Sequence, residues 1–143
     1  MKSVSAKPPT KSCKILLVED DPSYANLLQK RLSKSKNPAF STEHAGDLQN
    51  AIGKLASFKP DLILLDLSLP DSQAIETFTK IQSHASEIPV VILTSMDDER
   101  LALEALRKGA QDYVLKSKVS EKTVLRVLAY AIERGHLAQM LVH

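Results

Sequence analysis

The chain predicts an α/β fold, a mainly parallel doubly wound sheet with helices on both faces. Two observations carry this. Apolar runs of strand length, at 15–18, 62–65 and 90–93, are uninterrupted, as strands buried on both faces require. Helix-opening residues and amphipathic segments follow each run, so five strands alternate with five helices. The 143 residues suit one domain, large enough to bury a core without disulfides or a structural metal.

Residues 1–13 read as a disordered tail, rich in Lys, Ser and Pro and too poor in large apolar groups to offset ordering entropy. The folded domain is expected over 14–143. The first strand is Lys14 to Val18. Asp21 then caps a helix opening at Pro22, because Pro suits the first helical position and Asp the one before it. Tyr24, Leu27, Leu28 and Leu32 give that helix its apolar face. Residues 40–45 form a weaker strand, and Asp47 caps a short helix carrying Leu48, Ile52 and Leu55. The strand at 62–65 ends in Asp66. Asp71 or Ser72 opens a helix holding Ile75, Phe78 and Ile81. The strand at 89–93 ends in Thr94. Asp97 opens the fourth helix, with Gly109 at its C-terminal cap. That helix has a broad apolar set, Leu101, Ala102, Leu103, Ala105 and Leu106, wider than one core-facing stripe. The last strand, 112–115, ends in Lys116. Ser120 caps a final helix that continues as an extension toward the C-terminus.

Charge narrows the function. Lys2, Lys7, Lys11 and Lys14 precede any acid, leaving 15 of the 19 basic residues against all 17 acidic ones in the rest. The body is thus mildly acidic without a basic stripe, which argues against direct nucleic-acid binding. No apolar run is long enough for a membrane span, and the N-terminus lacks the apolar stretch of a secretory signal. The single cysteine, Cys13, excludes an internal disulfide and is compatible with a cytoplasmic protein. His44, His84, His136 and His143 share no metal-ligand spacing.

In open parallel sheets, sites form at the carboxyl ends of the strands. The residues there are Glu19 and Asp20, Asp66, Thr94 and Lys116, from four separate segments. Clustered carboxylates oppose one another's ionisation unless a cation compensates. Hard oxygen donors in small number suit Mg²⁺, which keeps waters and shares substrate phosphate. Lys116 is suited to an anion, and Asp is a covalent phosphoryl acceptor in known chemistry. Asp21 is better read as the helix cap than as a ligand.

Segments 15–22, 61–70, 91–95 and 109–116 resemble the receiver domain of two-component response regulators, in order and each at its own strand end. The resemblance covers about residues 14–134. It implies a flavodoxin-like (βα)5 fold with strand order 2-1-3-4-5. It implies Asp66 as phosphoacceptor, with Asp20 and Asp66 as direct Mg²⁺ ligands, Glu19 acting through water and the Ser68 carbonyl as a further ligand. Lys116 would pair with phosphoryl oxygens, Thr94 would hydrogen-bond the phosphoryl group, and Tyr113 would change rotamer with it, although a strand aromatic also serves as plain packing. The donor would be a phosphohistidine on a sensor histidine kinase or histidine phosphotransfer protein. Such a domain is a signalling acceptor rather than a turnover enzyme. The face of the fourth helix, fifth strand and fifth helix would meet a downstream protein or a second copy.

Two departures stand out. Ser117 follows Lys116 where many relatives have a cis proline, so a trans bond is expected. Ala74 stands where many have Gly, which predicts an earlier helix start or a stiffer loop. Three other functions are weighed. The domain could be the regulatory module of a larger protein with an output domain. An Asp-dependent phosphohydrolase would usually carry a second Asp where Ser68 stands. A nucleotide-binding flavodoxin-like protein would need a Gly-rich phosphate loop after the first strand, which is absent.

Overall fold

The computed structural model describes residues 12–36, 39–119 and 121–142; in the last stretch, side chains are described for 122 and 124–134. The proposed tail up to residue 11, the Ser120 cap, and the side chains of His136 and His143 lie outside the described residues.

Five strands, β1 (Ser12–Val18), β2 (Ala39–Ala45), β3 (Leu62–Asp66), β4 (Val90–Thr94) and β5 (Asp112–Leu115), form one parallel sheet in the order β2-β1-β3-β4-β5. Five helices connect and follow them: α1 (Pro22–Ser33), α2 (Leu48–Phe58), α3 (Ala74–His84), α4 (Glu99–Arg107) and α5 (Glu121–Val142). Order starts two residues earlier than the sequence suggests. Ser12 and Cys13 pair with Ala39 and Phe40, so the ladder to β2 holds residues whose own composition is weakly strand-forming.

The strand period of two sorts the apolar runs onto two faces. Leu16, Val18, Ile63, Leu65 and Ile92 join α2, α3 and α4 in one core through Leu48, Leu55, Phe78, Ile81, Ala102 and Ala105. Ile15, Leu17, Leu64, Val91 and Leu93 join α1 and α5 in the other, through Leu28, Leu32, Val124 and Leu128. Each fully buried Leu or Ile contributes about 1.5–3 kcal/mol, so the middle strands anchor the fold.

Two helix expectations are corrected and one, for α4, is narrowed. On α1, Leu27 is 44% exposed and does not belong to the buried face. On α4, Ala102 and Ala105 are buried and Leu101 and Leu106 pack against the core, leaving only Leu103 turned out. The apparent width of that apolar set is therefore mostly core. A 3-10 turn, Met96–Asp98, precedes α4, which opens at Glu99 rather than Asp97. Gly109 behaves as expected: with φ 120° it follows α4, Ala110 N–H reaches the Ala105 carbonyl, and Gly109 N–H reaches that of Leu106, the paired closure of a left-handed helix end.

Helix α3 opens at Ala74, with Gln73 in the capping position and no side-chain cap. Neither Asp71 nor Ser72 caps it. Ala74 itself has φ 45°, in the left-handed region where a Cβ is unfavourable. The helix therefore starts later than expected, because the β3–α3 loop turns sharply at this position. Ala74→Gly is expected to stabilise the protein by about 1 kcal/mol, since relief of the Cβ clash outweighs the added freedom of the unfolded chain. Urea unfolding checks this; a lower midpoint in the variant would contradict it.

Candidate functional site

The site lies at the carboxyl ends of β1, β3, β4 and β5. Register brings its residues together. Val18 pairs with Leu65, so Glu19 follows beside Asp66. Asp66 pairs with Leu93, and Thr94 with Leu115, which sets Thr94 and Lys116 at the same edge. Asp20 sits where the chain leaves β1 for α1. Asp21 caps α1 as the sequence predicts, accepting from Ser23 N–H at 3.0 Å and Tyr24 N–H at 3.4 Å.

One carboxylate oxygen from each of Glu19, Asp20 and Asp66 lies within 4.8 Å of the others. Glu19 is fully buried, Asp66 is 5% exposed, and Asp20 is open to solvent. Lys116 bridges the two buried acids, with Nζ 2.6 Å from Asp66 Oδ2 and 2.8 Å from Glu19 Oε1. The other Asp66 oxygen, Oδ1, accepts the Ser68 N–H at 2.8 Å. Both oxygens of the aspartate are thereby oriented, one by an ammonium and one by a backbone amide.

Glu19 is the strained member. Its Oε2 accepts Asp21 N–H at 3.1 Å. Its Oε1 faces Lys116 but, among the described residues, has no partner in hydrogen-bonding geometry. Burial, opposed by Lys116 and reinforced by the Asp66 charge, pushes the Glu19 carboxyl up to about 7. A folded value above the unfolded one means a cost that is absent below the ordinary glutamate range and complete above about 7. Burial works to lower the Lys116 value, but its pairing with the Asp66 carboxylate and then with that of Glu19 prevails and holds its ammonium above the usual lysine range. An incompletely satisfied buried carboxylate beside two others is the donor set a hard divalent cation fits.

Two supporting residues were not evident from sequence. The Tyr24 ring lies 5.2 Å from Lys116 Nζ, and its phenol donates to the Lys116 carbonyl at 3.2 Å; burial pushes that phenol up to about 12. In sequence Tyr24 was indistinguishable from an ordinary member of an apolar helix face. His44 Nε2 donates to the Glu19 carbonyl at 2.6 Å, pinning the end of β1 to β2. No local motif could have shown that contact.

Thr94 is 4% exposed and its hydroxyl donates to the Ser95 carbonyl at 3.2 Å. Tyr113 is half-buried, and its phenol donates to Glu99 Oε2 at 2.6 Å, an interaction that raises its pKa. Tyr113 therefore ties β5 to the first turn of α4. Among the described residues no helix is long and apolar enough to cross a membrane.

Residues 15–128 match the family model described as response regulator receiver domain. The DNA-binding response regulator MtrA of Mycolicibacterium smegmatis is 36% identical over 116 residues, covering 81% of this chain and 49% of that protein. The alkaline phosphatase synthesis transcriptional regulatory protein PhoP of Bacillus subtilis is 34% identical over 125 residues, covering 87% and 50%. The crystal structure of the receiver domain of NtrX from Brucella abortus superposes with a TM-score of 0.75 at 26% identity, covering 83% of this chain and 98% of that one. The chain thus spans about half the length of these two whole-protein relatives.

Proposed function

Because the chain belongs to the response regulator receiver family, and is therefore a receiver domain of two-component signalling, we propose that Asp66 is its phosphoacceptor and Lys116 the cation that serves it. The observation that carries this is the double engagement of Asp66, by Lys116 Nζ at 2.6 Å and Ser68 N–H at 2.8 Å, beside two further acids.

An Asp66 oxygen attacks the phosphorus of a phosphohistidine on a sensor histidine kinase or phosphotransfer protein. The new O–P bond forms as the P–N bond breaks, and the imidazole leaves with its electron pair. Little covalent chemistry is asked of the protein; charge neutralisation and positioning dominate. Lys116 moves no proton here. Its ammonium offsets charge on the transferring group and on the acyl phosphate that results. Ser68 N–H keeps the carboxylate from rotating, and Thr94 supplies a hydroxyl at the same edge.

The donor set fits Mg²⁺, with Asp20 and Asp66 as direct ligands, Glu19 through water and the Ser68 carbonyl as a further oxygen. When bound, the ion would supply positive charge against the carboxylates and the phosphoryl oxygens. Thr94 and Tyr113 would carry the change to the face of α4, β5 and α5, where a downstream protein or a second copy would read it. The Tyr113–Glu99 bond is what that change would have to break or keep. The domain itself is proposed to act without direct nucleic-acid contact, in the cytoplasm.

A second reading concerns context. The relatives named above are regulators about twice as long as the matched segment, which favours this receiver as the regulatory module of a longer protein with an output domain.

Acetyl phosphate, a small phosphodonor, tests the chemistry. The expected result is stoichiometric, acid-stable and base-labile label on the protein that requires Mg²⁺. Label that forms equally well in excess chelator would remove the metal from the proposal.

A further inference from the structure

The loop after the phosphoacceptor strand, residues 67–73, is held by more than its own turn. Asp71 is exposed, yet both its oxygens are bound. Oδ1 accepts the N–H of Leu48 at 2.8 Å, and Oδ2 that of Gln49 at 3.1 Å. These are the first two amides of α2, a helix from a different βα unit. The third, of Asn50, is taken at 2.7 Å by Asp47, the ordinary cap of that helix. Two acids from separate segments thus divide one helix end between them.

The arrangement is informative because a local alternative exists and is not used. Helix α3 begins directly after the loop and has no side-chain cap. Asp71 reaches across to α2 instead. The hydrogen bond from Leu48, first among its partners, holds its carboxyl below the usual aspartate range, so it is ionised where it meets the positive end of α2. Other ties reinforce the loop. The buried Thr77 hydroxyl donates to Ser72 Oγ at 2.8 Å, and Leu67 and Leu69 are sunk in the core. At the start of the same loop, Ser68 N–H holds Asp66 Oδ1 at 2.8 Å.

We propose that Asp71 is a positioning residue for the acceptor: by clasping the amino end of α2 it fixes the loop that aims the Ser68 N–H at Asp66, and so makes α2 part of the phosphoryl-accepting centre. This rests on the reading of Asp66 as the acceptor. Acting through Ser68, Asp71 touches neither donor nor phosphoryl group. Its removal lets the loop drift and the carboxylate rotate, a misplacement felt in rate more than in donor binding.

The matched control is Asp47→Ala, which takes an amide bond from the same helix end without touching the loop. In Asp71→Ala, maximal labelling by acetyl phosphate with Mg²⁺ is expected to fall about tenfold at unchanged half-saturation. In Asp47→Ala the rate is expected to stay within about twofold of the parent while the thermal midpoint falls, as for a lost cap. Asp71→Asn keeps one acceptor oxygen, should give an intermediate rate, and carries the test if the alanine variant does not fold. Hydrogen exchange at the Ser68 amide reads the positioning without any phosphodonor: it should quicken in the Asp71 variants and not in Asp47→Ala. Equal rates, or equal slowing, in Asp71→Ala and Asp47→Ala would reduce Asp71 to a cap and overturn the proposal. Absent labelling of the parent, with the Ser68 exchange difference intact, would instead place the failure in the acceptor assignment.

Discussion

Asp66→Asn is expected to abolish incorporation of phosphoryl groups from acetyl phosphate, with the fold preserved. The side chains are nearly isosteric, so Ser68 N–H can still meet an oxygen at the position of Oδ1. The amide lacks the charge and the nucleophilic oxygen pair that form an acyl phosphate. Lys116 loses one of its two anionic partners and keeps Glu19. The change also relieves repulsion between Asp66 and Glu19, which contributes to the raised Glu19 value, so little stability should be lost. Mass spectrometry of the intact protein reads the result directly. Undiminished label in the variant would move the acceptor to another residue.

Lys116→Ala should have the largest effect on stability. The lysine is 28% exposed at its side chain, and Glu19 is completely buried. Taking away one member of such a pair leaves an uncompensated buried charge, at a cost of about 3 kcal/mol. The sign with pH follows from Glu19. Its folded pKa is already up at about 7, and losing the cation can only raise it further. The penalty should therefore be small at acid pH, where the folded carboxyl holds its proton with or without the lysine, and grow as the pH rises through neutrality. Urea unfolding without divalent ions, at pH 5 and pH 8, measures it. A loss of the same size at both values would mean that the pair carries no charge energy. Added Mg²⁺ should return part of the stability by binding the native state. Phosphorylation itself should persist at a reduced rate, with a weaker conformational response.

The parts of this molecule legible in its sequence are those set by local pattern. β3 and β4 announce themselves as unbroken apolar runs because both sheet faces are covered. Asp66 and Lys116 stand out because they are polar groups at the ends of such runs. Asp21 reads as a cap because its partners are two and three residues away. Asp71 has the same local look, a cap before a helix, and was misread for that reason. Its partners are 22 and 23 residues upstream, and only the tertiary fold places them in reach. Leu27 falls on the apolar face of α1 by spacing, yet neighbouring positions on that helix supply the burial. Tyr24 packs against the core as its spacing suggests, but its ring and hydroxyl also serve the loop that carries Lys116, which no local pattern shows. Ala74 was judged by helix propensity, when what its position demands is a left-handed turn.

The sheet order has a consequence for when this protein can be heard. Asp66 and Lys116 stand 50 residues apart in the chain, and Glu19 arrives from β1, which lies between β2 and β3. Contacts of such long range form late, after much loop entropy has been lost. A nascent chain emerging from the ribosome presents Asp66 well before β5 exists to bring its lysine. A molecule whose last strand has slipped from the edge presents the acid without its counter-charge. On the proposed reading of Asp66, neither should take a phosphoryl group efficiently, so the modification would double as a certificate of completed folding. Signal strength would then count finished molecules rather than synthesised ones.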